Sequence, residues 1–264
     1  MKPIKKKYAN ALRFVLAILL FVAALAINTL IDRPFLKQYF PYVPVVLLVV
    51  ATWILYKLDG KNLRALGLNL KVRSVSFLFL GLLIGAVAFL LASYARALFT
   101  GESIALSSTM DYRTVVTSLY FILPTVAVEE LLFRGYLFKK TIEVSNVVVA
   151  NIIFSILFML IHLIDESVLS NPGHMVLLII SIPVGHLWFA TALQRSKTLF
   201  FPIGLHLGNN WATRHLISDN GNGESILVVL ERVNFDTWPF FIGMLLITNG
   251  VFLLVTLLIW KWGK

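Results

Sequence analysis

The sequence predicts an all-α membrane protein, a polytopic helix bundle of about eight transmembrane helices enclosing a polar cavity. Three observations carry that prediction. Of the 264 residues, 59% are hydrophobic and only 14% are charged, whereas soluble domains run near a quarter charged. The apolar residues gather in runs close to the ~20 needed to cross ~30 Å of hydrocarbon. Ionisable residues recur inside those runs, in Glu129-Glu130-Leu-Leu-Phe-Arg134, Phe158-Met-Leu-Ile-His162 and His206-Leu-Gly-Asn-Asn210. A charge at the bilayer centre costs roughly 2.5–3.5 kcal/mol, so these groups are expected to face one another or a wet cavity.

In chain order the apolar segments fall at about 11–30, 41–58, 75–95, 114–138, 147–164, 175–193, 198–217 and 239–260. The first follows Lys5-Lys6-Lys7 and contains Ala24-Leu25-Ala26, which resembles a signal-peptidase site. Apolar character continues through Ile27 and Leu30, which favours a retained anchor over a cleaved leader. Between the second and third segments, Leu63, Leu66, Leu68 and Leu70 alternate with Lys61, Arg64, Lys71 and Arg73. That stretch reads either as a segment lying on an anionic membrane surface or as an ordinary basic loop. The fourth segment carries the paired glutamates and Pro124, the fifth ends at His162, and the sixth holds Pro183 and His186. The two prolines are expected to kink their helices. The seventh holds His206 and Asn210. The chain divides into N-terminal transmembrane helices with a membrane anchor (1–110), a core bearing the polar residues (111–220) and a C-terminal transmembrane helix (221–264).

The formal net charge of +10 would suggest nucleic acid in a soluble chain, but its distribution points to a bilayer. Threading the segments from a cytoplasmic N-terminus puts Lys2, Lys5, Lys6, Lys7, Lys57, Lys61, Arg64, Arg134, Lys139, Lys140, Arg195, Lys197 and Lys264 on the inner side. The outer side keeps few cations, Arg232 among them, together with Asp165, Asp219 and Asp236. Both termini are therefore expected in the cytoplasm of a multi-pass protein of the cell membrane. There is no cysteine, which excludes disulfides, thiolate metal sites and a cysteine nucleophile.

Spacing predicts how the polar residues meet. Glu129 and His162 are equidistant from the turn-like pair Ser145-Asn146. An antiparallel hairpin turning there would bring carboxylate and imidazole level on neighbouring helices. Glu130 and Arg134 are i and i+4 and can pair. Glu129 is rotated by about 100° from Glu130, which assigns Glu129 to the cavity and Glu130 to a buried pair with Arg134. His206 and Asn210 share a face in the same way. His162, His206 and Asn210 could each equally be an interhelical hydrogen-bonding group. His174 and His215 read as loop or interface residues, and His186 as a satisfied core histidine. Trp188, Trp211, Trp238, Trp260 and Trp262 read mostly as interface anchors.

The order Glu-Glu-x-x-x-Arg, Phe-x-x-x-His, His-x-x-x-Asn on separate membrane helices resembles the three motifs of the CPBP (Abi) family, the CAAX-protease and bacteriocin-processing intramembrane endopeptidases. The resemblance runs from about Thr114 to Ile217. It implies that Glu129 activates water together with His162, that His206 and Asn210 stabilise the oxyanion, and that Glu130 and Arg134 support them. Such chemistry is physically reasonable: a partly desolvated carboxylate is a competent base, and donors aimed at the developing oxyanion lower the barrier. A metal is left open by the resemblance. Glu129, His162 and His206 would be the zinc set, while the lack of His-Glu-x-x-His favours a reaction without a cofactor. The implied partners are the lipid bilayer and a membrane-associated peptide or protein substrate, either a prenylated CAAX-like tail or a bacteriocin or pheromone precursor, with no role for nucleic acid. The alternative is a non-proteolytic immunity or scaffold protein of the same family. A membrane serine or aspartyl protease lacks its nucleophile or its paired aspartates here, and no paired interrupted helices suggest a transporter.

Overall fold

The computed structural model describes residues 3–31, 33–218, 224–231, 233 and 237–262, with the backbone alone for 3–7. Of the charges used for orientation, Lys2, Arg232, Lys264, Asp219 and Asp236 lie outside the described residues, as do the side chains of Lys5, Lys6 and Lys7.

The protein is a polytopic bundle of helices. They are α1 Pro3–Ile31, α2 Pro34–Tyr39, α3 Val43–Leu58, α4 Val72–Thr100, α5 Tyr112–Phe133, α6 Tyr136–Val144, α7 Val147–Leu163, α8 Glu166–Leu169, α9 Pro172–Ser196, α10 Phe200–Trp211 and α11 Trp238–Lys261. Their starts follow local chemistry. Asp111, Asn146 and Asn171 accept backbone N–H bonds at the first turns of α5, α7 and α9. Gly101, at φ 79°, ends α4 in the left-handed conformation that glycine adopts without strain. Among the described residues, five helical stretches are long and apolar enough to cross a membrane, and α3 and α7 are shorter apolar helices.

Two segments depart from their sequence outline. The run 114–138 is not one helix: it breaks at Arg134–Gly135 into α5 and α6. The run 198–217 forms only a 12-residue helix, α10, followed by a π-helical turn Ala212–Leu216. At 1.5 Å per residue α10 spans about 18 Å, and the eight residues 201–208 are all buried, so it is a core element wrapped by longer helices.

A glycine lock seats α10. Gly81 and Gly85 of α4 face Gly204 and Gly208 of α10, a small-xxx-small pair on each helix. A Cβ on Gly85 would lie 2.2 Å from the Leu205 carbonyl oxygen, and one on Gly208 would lie 2.1 Å from that of Leu82. The backbones therefore touch, and His206 sits between the two α10 glycines.

At one end of the bundle the segment 59–71 is pinned down. Leu199 N–H donates to Leu66 O (3.1 Å) and Thr198 Oγ1 to Gly67 O (3.0 Å). Leu66 is fully buried and Leu63 and Leu68 pack on the core, leaving Leu70 exposed. Three of the four leucines thus serve the core and not the membrane surface. At the opposite end β1 (Ser103–Leu106) pairs antiparallel with β3 (Leu227–Leu230), which pairs parallel with β2 (Ile217–Ser218). Trp188 is buried in a second apolar cluster with Phe189 and Phe201, so it is a core residue and not an interface anchor. Trp238, Trp260 and Trp262 are exposed.

Candidate active site

The last turn of α5 and the middle of α10 meet inside the bundle. Glu130 Oε1 accepts from Arg134 Nη1 (3.1 Å) and from His206 Nδ1 (2.8 Å), and all three residues are buried. Because the carboxylate accepts, the proton sits on Nδ1 of His206, and Nε2 is the nitrogen that faces outward from the pair. Nε2 lies 3.7 Å from Glu129 Oε2. Glu129 is a fifth exposed at its side chain, whereas Glu130 is sealed. Rotation about the helix thus separates one carboxylate that orients the imidazole from one that opens to the site.

Aromatic rings wall this cluster. The Arg134 guanidinium lies 4.1 Å from the Phe158 ring centroid and 5.1 Å from that of Phe189. His206 stacks on Phe189 at 4.6 Å and 18°. Arg134, expected in a buried pair with Glu130, is fully buried between rings, an arrangement that a planar guanidinium accepts better than an ammonium. The rings also explain the Phe of Phe-x-x-x-His: Phe158 reaches Arg134 from α7, edges His206 (6.3 Å) and edges His162 (4.7 Å).

His162 and Glu129 make no ion-pair contact in the structure. His162 Nδ1–H donates to the Phe158 carbonyl oxygen (2.7 Å) of its own helix, which leaves Nε2 available. The hairpin itself turns at Ser145–Asn146, and the ring pairs Phe138–Phe154 and Phe133–Phe158 face each other across it. Glu129 is next to His206 because α10, locked onto α4 by its glycines, is thrust against α5. Asn210 lies one turn beyond His206, half-buried, and its Oδ1 accepts from Asn209 Nδ2 (3.4 Å), so its own amide N–H groups remain donors. The structure therefore brings Glu129, Glu130, Arg134 and His206 into one cluster. His162 borders it through Phe158, and Asn210 stands one helical turn away.

Among the described residues no group of three His, Asp or Glu side chains converges to hold a metal ion. Glu129, His162 and His206 do not form such a group, and the Nδ1–H bonds of His206 to Glu130 and of His162 to a carbonyl direct the Nε2 of each ring away from those partners. Several polar atoms of the cluster have no hydrogen-bond partner: Glu129 Oε2, Glu130 Oε2, and Arg134 Nε and Nη2. His186, edge-on to Phe138 at 5.8 Å, is buried with neither ring nitrogen bonded, contrary to the expectation of a satisfied core histidine. Phe189 and the four lock glycines escaped sequence reasoning. The glycines were visible as two small-xxx-small patterns, and Phe189 gave no signal at all.

A family model for type II CAAX prenyl endopeptidases of the Rce1-like kind matches residues 111–212. No curated protein and no solved structure matches the chain. Every residue of the polar cluster falls inside the matched stretch, on α5, α7 and α10. Over residues 111–212, the segment that builds the site, the chain is similar to the Rce1-like type II CAAX prenyl endopeptidases, in keeping with the resemblance of its three motifs to those of the CPBP family.

Proposed function

We propose that this protein is an intramembrane endopeptidase that hydrolyses a peptide bond in a membrane-associated peptide or protein, such as a prenylated CAAX-like tail. The observation that carries the proposal is one contact pattern: a sealed carboxylate, Glu130, holding His206 by Nδ1, while a second carboxylate, Glu129, faces Nε2. In this reading Glu129 takes a proton from water, and the oxygen attacks the scissile carbonyl. His206, braced by Glu130 and stacked on Phe189, presents Nε2 to the developing oxyanion when protonated, and Asn210 Nδ2 adds a neutral donor. Arg134 offsets one of the two glutamate charges, so the cluster carries a net charge of about −1 with His206 neutral and none with it protonated, in a medium that penalises a larger one. His162 Nε2 is free to help orient the water or accept its proton. The leaving amine takes up the proton that Glu129 removed, which returns the site to its starting state. The end bearing Lys57, Lys61, Arg64, Lys139, Lys140 and Lys197 is assigned to the cytoplasm by its charge, with both termini on that side.

The test is cleavage of a panel of farnesylated CAAX peptides and hydrophobic leader peptides by the purified chain in detergent. Glu129→Ala and His162→Ala are run beside it, each with and without a strong chelator. Turnover that disappears in both variants supports the reading, and turnover that survives chelation supports a reaction without metal. Turnover retained in Glu129→Ala, or no cleavage across the panel together with a cellular phenotype that survives Glu129→Ala, overturns it in favour of a scaffold.

A further inference from the structure

The break between α5 and α6 has an anchor outside the polar cluster. Arg134 caps α5 at φ −126° and ψ −2°. Gly135 follows at φ −76° and ψ −135°, where a Cβ would lie 2.0 Å from the Leu131 carbonyl oxygen. A continuous helix would keep backbone hydrogen bonds that a break forfeits at both new ends. Tertiary contacts on α6 therefore have to hold the chain broken. Those contacts converge on Asp59, at the end of α3. Its Oδ2 accepts from Tyr136 Oη (2.9 Å) and Lys140 Nζ (2.9 Å), residues one turn apart on α6. Its Oδ1 accepts from Arg13 Nε of α1 (3.0 Å), and Arg13 Nη2 also donates to Leu58 O (2.7 Å). Tyr136 is buried and sits edge-on to Tyr56 at 5.3 Å.

We propose that Asp59 is a positioning residue: it grips α6 through Tyr136 and Lys140, and so holds Arg134 where it can pin Glu130. The path is short and continuous. Asp59 binds Tyr136, Tyr136 is two residues from Arg134, Arg134 binds Glu130, and Glu130 sets the Nδ1 proton of His206. An acid on a loop between α3 and the 3₁₀ turn at Leu63–Leu66 thereby reaches a site it does not touch. The inference rests on the endopeptidase reading for its kinetic consequence, but not for its structural one.

The experiment uses the full chain in detergent with Tyr136→Phe, Asp59→Asn, and the pair Lys140→Ala and Lys140→Arg. Lys61→Gln, which removes an exposed ion pair to Glu143 on the same helix, is the control. Tyr136→Phe and Asp59→Asn are expected to lower kcat by about 10- to 100-fold with KM within about twofold, as misplaced catalytic groups do. Lys140→Arg is expected to recover what Lys140→Ala loses, and Lys61→Gln to change neither constant. Hydrogen exchange of the backbone amides at 134–139 should quicken by about tenfold or more in Tyr136→Phe while α9 and α10 keep their protection. A fall in melting temperature with kcat unchanged, or exchange at 134–139 unaltered, overturns the proposal. If the wild type cleaves nothing, the endopeptidase reading fails on its own, and the exchange measurement alone decides whether Asp59 holds the break.

Discussion

Two buried or half-buried carboxylate clusters in this molecule treat their polar atoms in opposite ways. At Asp59 both oxygens are occupied, by Arg13 on one side and by Tyr136 and Lys140 on the other. In the Glu129–Glu130–Arg134–His206 cluster, Glu129 Oε2, Glu130 Oε2 and two of the three Arg134 nitrogens lack a partner. An unsatisfied buried polar group costs about 1–3 kcal/mol, so the second cluster is not arranged for stability. The difference is one of satisfaction: one cluster uses its polar atoms to join helices and the other leaves several of them unbonded. The Asp59 cluster joins helices, and on the proposed endopeptidase reading the inner cluster keeps capacity in hand for a substrate and a water molecule.

The largest expected effect breaks the inner cluster at its open carboxylate. Glu129→Gln should lower peptidase turnover by about 10³-fold or more, at the upper part of the range for loss of a general base. The melting temperature in detergent should hold or rise, because a half-satisfied group is removed. A matching fall in melting temperature would show Glu129 to be structural. Next, Arg134→Met leaves Glu130 buried without its cation. Removing one partner of a buried pair costs about 3–5 kcal/mol, so the thermal or denaturant midpoint should fall steeply, and the double variant Arg134→Met with Glu130→Leu should recover much of it.

Smaller is the effect of loosening the seat of His206. Gly85→Ala places a methyl where backbone oxygen stands at 2.2 Å. It should destabilise by about 1–3 kcal/mol, the usual range for overpacking, whereas Gly60→Ala, with open space around it but φ at +69°, should lose less, about 1 kcal/mol. The smallest effect is a pH window. Burial pushes the Asp59 carboxyl up, but bonds from Lys140, Tyr136 and Arg13 outweigh it and hold the group below its ordinary range. A depressed carboxyl contributes stability that is complete above its unfolded pKa of about 3.9 and fades as pH falls through the lower folded value. Thermal midpoints measured from pH 6 down to pH 3 should therefore drop in the last unit, and Asp59→Asn should flatten that drop.

Much of this architecture could be read from the chain order of residues. Apolar runs of bilayer length, the basic loops between them and the i, i+4 pairing of Glu130 with Arg134 are local properties, set by helix periodicity and by the cost of burying charge. Glu129, Glu130, Arg134, His162, His206 and Asn210 were singled out for the same local reason. Which helix each of them meets is a different kind of fact. His206 finds Glu130 and Glu129 because glycines on α4 and α10 let two backbones touch, and Phe189 joins them from a helix that carried no motif. The break at Arg134–Gly135, which no periodicity in the run 114–138 announced, is held on our proposal by Asp59 some 75 residues earlier in the sequence. Periodicity fixes the face a side chain occupies on its own helix. The partner across the gap is fixed by backbone approach and by the summed packing of several helices, and no spacing along a single segment encodes that.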